Sequence, residues 1–161
     1  MKLDFIDDYY YKRRESEQQN DFKKYANPKT NKIDQKGMEL MGKTLDIDIY
    51  NDTFIIFFFF CCGMKKLEEI TKDEYFQGLS SFKCNSLAQV KNYIMTVKGE
   101  LMDINSTIFR KFYLFLFDVN MIKKTKLIDM EVVEVYFGSF FGDQFSFVNK
   151  FLHFIPPRTR T

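Results

Sequence analysis

The sequence predicts an all-α protein of about eight helices, and three observations carry that reading. Helix-start signals recur: Thr71-Lys72-Asp73-Glu74 and Ser86-Leu87-Ala88-Gln89 each set a hydroxyl three positions ahead of a carboxylate or amide, the pattern of a capping box. Apolar residues return every three or four positions along several stretches, which is the period of a buried helix face. Alternating apolar and polar runs are scarce, and no Asn-Gly or Asp-Gly pair offers a tight hairpin turn.

The elements follow in order. Residues 1–15 are acidic, then Tyr-rich, then basic, and read as a flexible leader running into the first helix. The domain proper is placed at 16–161, a one-domain length with only 3 Pro and 7 Gly and no obvious linker. After the first helix, "YANPKTNKIDQKGMEL" has the outline of a helix–loop–helix. Setting Ile33 at the eighth position of a calcium loop puts Pro28 and Thr30 at the third and fifth and Gly37 at the twelfth. Those places require oxygen ligands and a bidentate Glu, so no calcium site and no other metal is expected.

The next segment, "TFIIFFFFCCGM", is apolar without a break from Phe54 to Cys62. From Phe54 to Met64 it would span roughly 16 Å as a helix, well short of a bilayer core of about 30 Å. Asn51, Asp52, Lys65 and Lys66 close it at both ends, so it reads as a central helix covered on all sides rather than a membrane anchor. Thr71 and Ser86 then open two helices, with Tyr75, Phe76, Leu79 and with Leu87, Val90, Ile94 as their buried stripes. In the following helix Phe109, Phe112, Leu116 and Val119 face inward, against Arg110, Lys111 and Asp118. The last clear helix carries Met130, Val133, Phe137, Phe140 and Phe141 inward, with Asp129 as its N-cap.

Composition excludes several functions. A formal net charge of +2 gives no basic surface for nucleic acid. Cys61, Cys62 and Cys84 are an odd set with no disulfide framework, which points to a reducing setting in the cytoplasm or nucleus. The single histidine, His153, would have to serve any Cys–His nucleophile pair. Cys61 and Cys62 stand in an apolar run where burial makes a thiol inert. Adjacent cysteines plus one distant Cys and one His lack zinc-ligand spacing. No glycine-rich phosphate loop is present. The chain is therefore expected to be no enzyme and to need no cofactor.

Taken in order, five segments resemble the potentiating-neddylation domain of the defective-in-cullin-neddylation family. They are "FKKYANPKTNKIDQKGMELMGKTLDID", "DTFIIFFFFCCGM", "ITKDEYFQGLSSFKCNSLAQVKNYI", "FRKFYLFLFDV" and "LIDMEVVEVYFGSFF", together covering roughly residues 22–155. The third is the most specific, with Thr71, Glu74, Phe76, Gly78, Leu79, Cys84 and Ser86 at the family's motif places. The resemblance implies a helical fold with degenerate EF-hand-like helix–loop–helix pairs. It also implies a non-catalytic scaffold that helps attach a ubiquitin-like modifier to cullins. Its partners would be the N-acetylated N-terminus of the modifier's conjugating enzyme and the C-terminal region of a cullin, with neither nucleic acid nor membrane involved. By motif position, the pocket for the acetylated peptide would be lined by Met38, Met41, Leu45, Ile56, Phe60, Ile70, Val119 and Tyr136. The alternative is a degenerate EF-hand-like interaction module with an unrelated partner.

Three departures from the family pattern stand out. Phe58, Phe59 and Cys61 replace a Trp and the basic residues that follow it. "QFSFVNKFLHF" lacks about three residues, a second Trp among them. The end, "FIPPRTRT", sets Arg158 where the first Asp of the acidic cullin-binding patch would stand, and the usual C-terminal segment is expected to be missing.

Overall fold

The N-terminal helix, α1 (Lys2–Tyr25), has almost no apolar face by periodicity, yet it carries a buried seam. Gln18, Asp21, Phe22 and Tyr25 are all covered, at the i, i+3, i+4, i+7 spacing of one helix side. Half of that seam is polar. In the computed structural model, which describes residues 2–49, 52–65, 67–101, 103, 105–122, 125–141 and 150, the helix begins at Lys2 and takes in the stretch read as a leader.

Six more helices appear among the described residues, together with two very short strands. They are β1 (Lys32–Ile33), α2 (Gln35–Leu45), α3 (Thr53–Cys62), β2 (Ile70–Thr71), α4 (Lys72–Ser81), α5 (Leu87–Leu101), α6 (Thr107–Asn120) and α7 (Met130–Phe141). The fold is all-α, as the sequence predicts. The strand pair is the one element not foreseen, because two residues are too few to show alternation. The chain divides into two compact units, Met1–Phe112 and Tyr113–Thr161, where the sequence reading placed one domain over 16–161.

In the first unit, α1–β1–α2 and α3–β2–α4 form two helix–loop–helix pairs. β1 and β2 join them antiparallel, Ile33 opposite Ile70 and Lys32 opposite Thr71. Both isoleucines are fully buried, so the strands tie the loops through backbone bonds and one apolar contact layer. α1 packs on α2 and α4, and α3 packs on α4 and α5.

The apolar helix α3 is the centre of this unit. Asp52 caps its start, its carboxylate accepting from the Phe54 N–H at 2.7 Å. Gly63 ends it in the left-handed region at φ 69°, where glycine carries no steric penalty. Every side chain from Phe54 to Phe59 is buried. Phe57 meets Phe112 edge-on at 5.2 Å, and Phe58 meets Tyr75 edge-on at 5.7 Å. Such pairs contribute about 0.5–1.5 kcal/mol beyond their buried area. Gly78 lets α4 approach this closely: a Cβ there would lie 2.4 Å from the Cys62 sulfur and 2.9 Å from the Phe58 ring. No helix among the described residues is long and apolar enough to cross a membrane.

The helix starts read from sequence are formed. Thr71 Oγ1 accepts from the Glu74 N–H, and the Glu74 carboxylate accepts from the Thr71 N–H at 2.8 Å. At α5 the box is displaced by one residue. Ser86 Oγ accepts from the Gln89 N–H, while Gln89 Oε1 accepts from the N–H of Asn85. In the second unit, the Asp129 carboxylate accepts from the Glu131 N–H at 3.1 Å and opens α7.

Polar side chains of α1 hold the turn between α4 and α5. Asp21 Oδ2 accepts from the Tyr75 hydroxyl at 2.7 Å and from the Leu87 N–H at 2.8 Å, and Oδ1 accepts from Lys24 at 2.9 Å. Gln18 donates to the Cys84 carbonyl at 2.8 Å, and Glu17 accepts from the Asn85 side chain at 2.7 Å. Burial first, and then the neighbouring Asp21 charge, push the Tyr75 hydroxyl far above its ordinary pKa, so it stays a donor. Asp21→Ala strands a buried hydroxyl and a helix-start N–H, and should cost about 3 kcal/mol. Tyr75→Phe should cost about 1 kcal/mol, because Asp21 keeps two donors. Urea unfolding of both singles and the double variant should show strong coupling; additive losses would mean that the bond carries no stability.

Candidate functional site

The paired loops are the first place to look for chemistry, and both are closed by the protein's own side chains. In the first loop, Asn27 Nδ2 donates to Asp34 Oδ2 at 2.8 Å, and Asn27 Oδ1 accepts from the Lys29 N–H at 3.0 Å. The other Asp34 oxygen accepts from the Gly37 N–H at 3.1 Å, making Asp34 the N-cap of α2. Gly37, at the loop's twelfth position, has no room for any side chain: a Cβ would sit 2.2 Å from the Tyr25 carbonyl oxygen.

Aligning Ile70 with Ile33 through the strand pairing gives the second loop the span 63–74. Its first, third and fifth positions are then Gly63, Lys65 and Leu67, none with an acidic side chain. Glu74 falls at the twelfth position, but both its bonds go to Thr71, backbone N–H and hydroxyl, at 2.8 Å each. Between the loops Lys32 pairs with Glu69 at 2.5 Å. Among the described residues no group of three His, Cys, Asp or Glu side chains is placed to hold a metal ion.

The residues expected to line a peptide pocket are placed as follows. Met38, Met41 and Leu45 lie on one face of α2, Ile56 lies on α3 and Ile70 on β2, and all five are buried. Phe60 is half-buried on α3, 5.6 Å from the Phe57 ring and 5.7 Å from Phe112. These six belong to the first unit. Val119, half-buried on α6, and Tyr136, on α7, belong to the second. The Tyr136 side chain lies outside the described residues, as do Arg158 and His153. The end of α2 is held from α5, where the Lys91 ammonium donates to the Leu45 carbonyl, a cation at a helix C-terminus.

All three thiols are free and all are pushed toward the neutral form. Burial raises Cys61 to about 12, and it raises Cys62 well above its ordinary value. Burial raises Cys84 as well, with the Arg14 guanidinium acting in the opposite direction.

Sequence reasoning missed Gln18 and Asp21. Their only signal was the spacing 18, 21, 22, 25, which a search for apolar residues does not detect. It also missed a surface depression walled by Arg13, Arg14, Lys83, Glu17 and Asn85. No protein-family model matches the chain.

Two measurements follow from this geometry. The Asn27 amide, and then the Gly37 N–H, hold the Asp34 carboxyl below its ordinary value of 3.8. A lowered folded pKa contributes stability that is present above 3.8 and lost as pH falls through the folded value. Asn27→Ala should therefore raise the Asp34 titration midpoint, followed by carboxyl NMR; an unmoved midpoint would remove Asn27 as the cause. Alkylation by iodoacetamide at pH 8 should modify Cys84 first, with Cys61 and Cys62 protected until the protein unfolds. Rapid labelling of Cys62 in the native state would contradict its burial.

Proposed function

We propose that this chain is a non-catalytic scaffold of cullin neddylation, which holds the N-acetylated N-terminus of the modifier's conjugating enzyme. The observation that carries the proposal is the ordered resemblance of five segments over residues 22–155. Two helix–loop–helix pairs locked through Ile33 and Ile70 suit the EF-hand-like arrangement that the resemblance implies. Three thiols held toward their neutral forms favour an adaptor over a thiol enzyme.

The chemistry of the guest fits the residues named for it. Acetylation removes the charge of an N-terminal amine and so removes most of the cost of burying it. A methionine chain can then enter among apolar walls such as Met38, Met41 and Ile56. Two of these are thioethers, which change rotamer and repack readily. Holding one partner close to another raises effective concentration without a catalytic side chain. Cullin contact is the weaker half of the proposal, because Arg158 reverses charge at the first place of the acidic patch. The same proposal places the protein in the cytoplasm and nucleus, where such conjugation operates.

A second reading rests on a specific observation. Met38, Met41, Leu45, Ile56 and Ile70 are all buried as ordinary core, which favours an EF-hand-like interaction module with an unrelated partner. Isothermal titration with the first dozen residues of the conjugating enzyme separates the two. The acetylated peptide should bind at least about tenfold tighter than the free amine, a difference of about 1.4 kcal/mol. Equal binding of both forms, or binding of neither, would favour the second reading.

A further inference from the structure

We propose that the surface where α1 passes the α4–α5 turn is a docking site for a peptide segment, whose single carboxylate is held by Arg14 and Lys83. This surface shares no residue with the proposed acetyl-peptide pocket. Two adjoining depressions form it, and Arg14 lines both.

The first depression, of about 380 Å³, is walled by Arg13, Arg14, Lys83, Glu17 and Asn85. Three cations there face one carboxylate, and that carboxylate is already engaged. One Glu17 oxygen accepts from Arg13 at 3.0 Å, and the other accepts from Asn85 at 2.7 Å. Arg14 is half-buried, and neither it nor Lys83 has an ion pair among the described residues. A guanidinium partly removed from water and unpaired by the described carboxylates attracts an anion more strongly than a fully solvated one. Lys83, exposed just after α4, brings a second cation to the same depression.

The second depression, of about 400 Å³, runs between α1 and α4 and has Tyr11 and Phe76 among its walls. Glu15, Asp73, Gln77 and Ser80 also border it, so it disfavours a second anion, and the Tyr11 and Phe76 rings are the faces it offers to an uncharged aromatic side chain. A carboxylate beside an apolar residue in one extended segment matches the pair of depressions.

NMR titration of the ¹⁵N-labelled full chain tests this. The probes are the capped peptide acetyl-Gly-Asp-Phe-Gly-amide, its Asn-for-Asp counterpart and inorganic phosphate. The Asp peptide should shift the Lys83 amide and the Asn85 side-chain amide in a saturable way, with the Asn peptide at least about tenfold weaker. Arg14→Gln and Lys83→Gln should each weaken binding at least about threefold, with the rest of the spectrum unchanged. Equal binding of the Asn peptide, or no effect of Arg14→Gln, would overturn the proposal. Phosphate that matches the Asp peptide at the same midpoint would also overturn it, by reducing the site to one for a free anion.

Discussion

The first unit depends on one buried carboxylate. Asp21 is only 4% exposed, and a charge so placed is unfavourable unless its oxygens are satisfied. Its three donors come from three places: Lys24 on its own helix, Tyr75 on α4 and the first N–H of α5. The last of these is one of the orphan donors that every helix start leaves, and a carboxylate is the partner that the α5 dipole favours. One side chain thus fixes where α5 begins, how α4 lies against α1, and how the Tyr75 ring is turned. Because Tyr75 also meets Phe22 at 5.6 Å and Phe58 at 5.7 Å, the polar contact orients the aromatic core as well.

That core explains how a run as apolar as α3 is accommodated in so small a unit. A helix with no polar face needs neighbours on every side. α4 is brought close by Gly78, α5 lies alongside, and Phe112 of α6 closes on Phe57 and Phe60. Phe82, at the end of α4, adds an edge contact to Phe57 at 6.1 Å. Aromatic rings pack well here because tilted and edge-on contacts at this spacing are their favoured geometries. The Phe-rich sequence is therefore consistent with its surroundings at each contact.

Much of this was legible in the sequence, and the failures have physical causes. α4 and α7 were legible because caps at Thr71 and Asp129 agree with the apolar stripes that follow them. α3 was legible as a central helix because its length and its charged flanks leave no other place for it. The buried seam of α1 was not, since it spends Gln18 and Asp21 where periodicity looks for leucine or valine. β1 and β2 were invisible because two residues define no period. For the candidate pocket, sequence position named apolar residues but could not tell a wall from a core. Met41 and Ile70, fully covered, would carry the same letters in either role. Arg14 and Lys83 were hidden for a related reason: surface cations are common, and only a shared depression sets these two apart.

The loops decide whether a cation can act on this fold. In a calcium sensor the cation supplies the bonds that draw the helices apart, so its arrival changes the shape of the pair. Here those bonds are internal. Asn27 and Asp34 close the first loop, Thr71 and Glu74 close the second, and Ile33 and Ile70 clamp them together. A cation entering either loop would have to break existing hydrogen bonds, and would meet Pro28, Lys65, Leu67 and Gly37 at places that need oxygen ligands. The pair is thus fixed in one arrangement by its own sequence. For the scaffold proposed above, such a pair would offer shape and charge for recognition and no cation-driven switch in its loops.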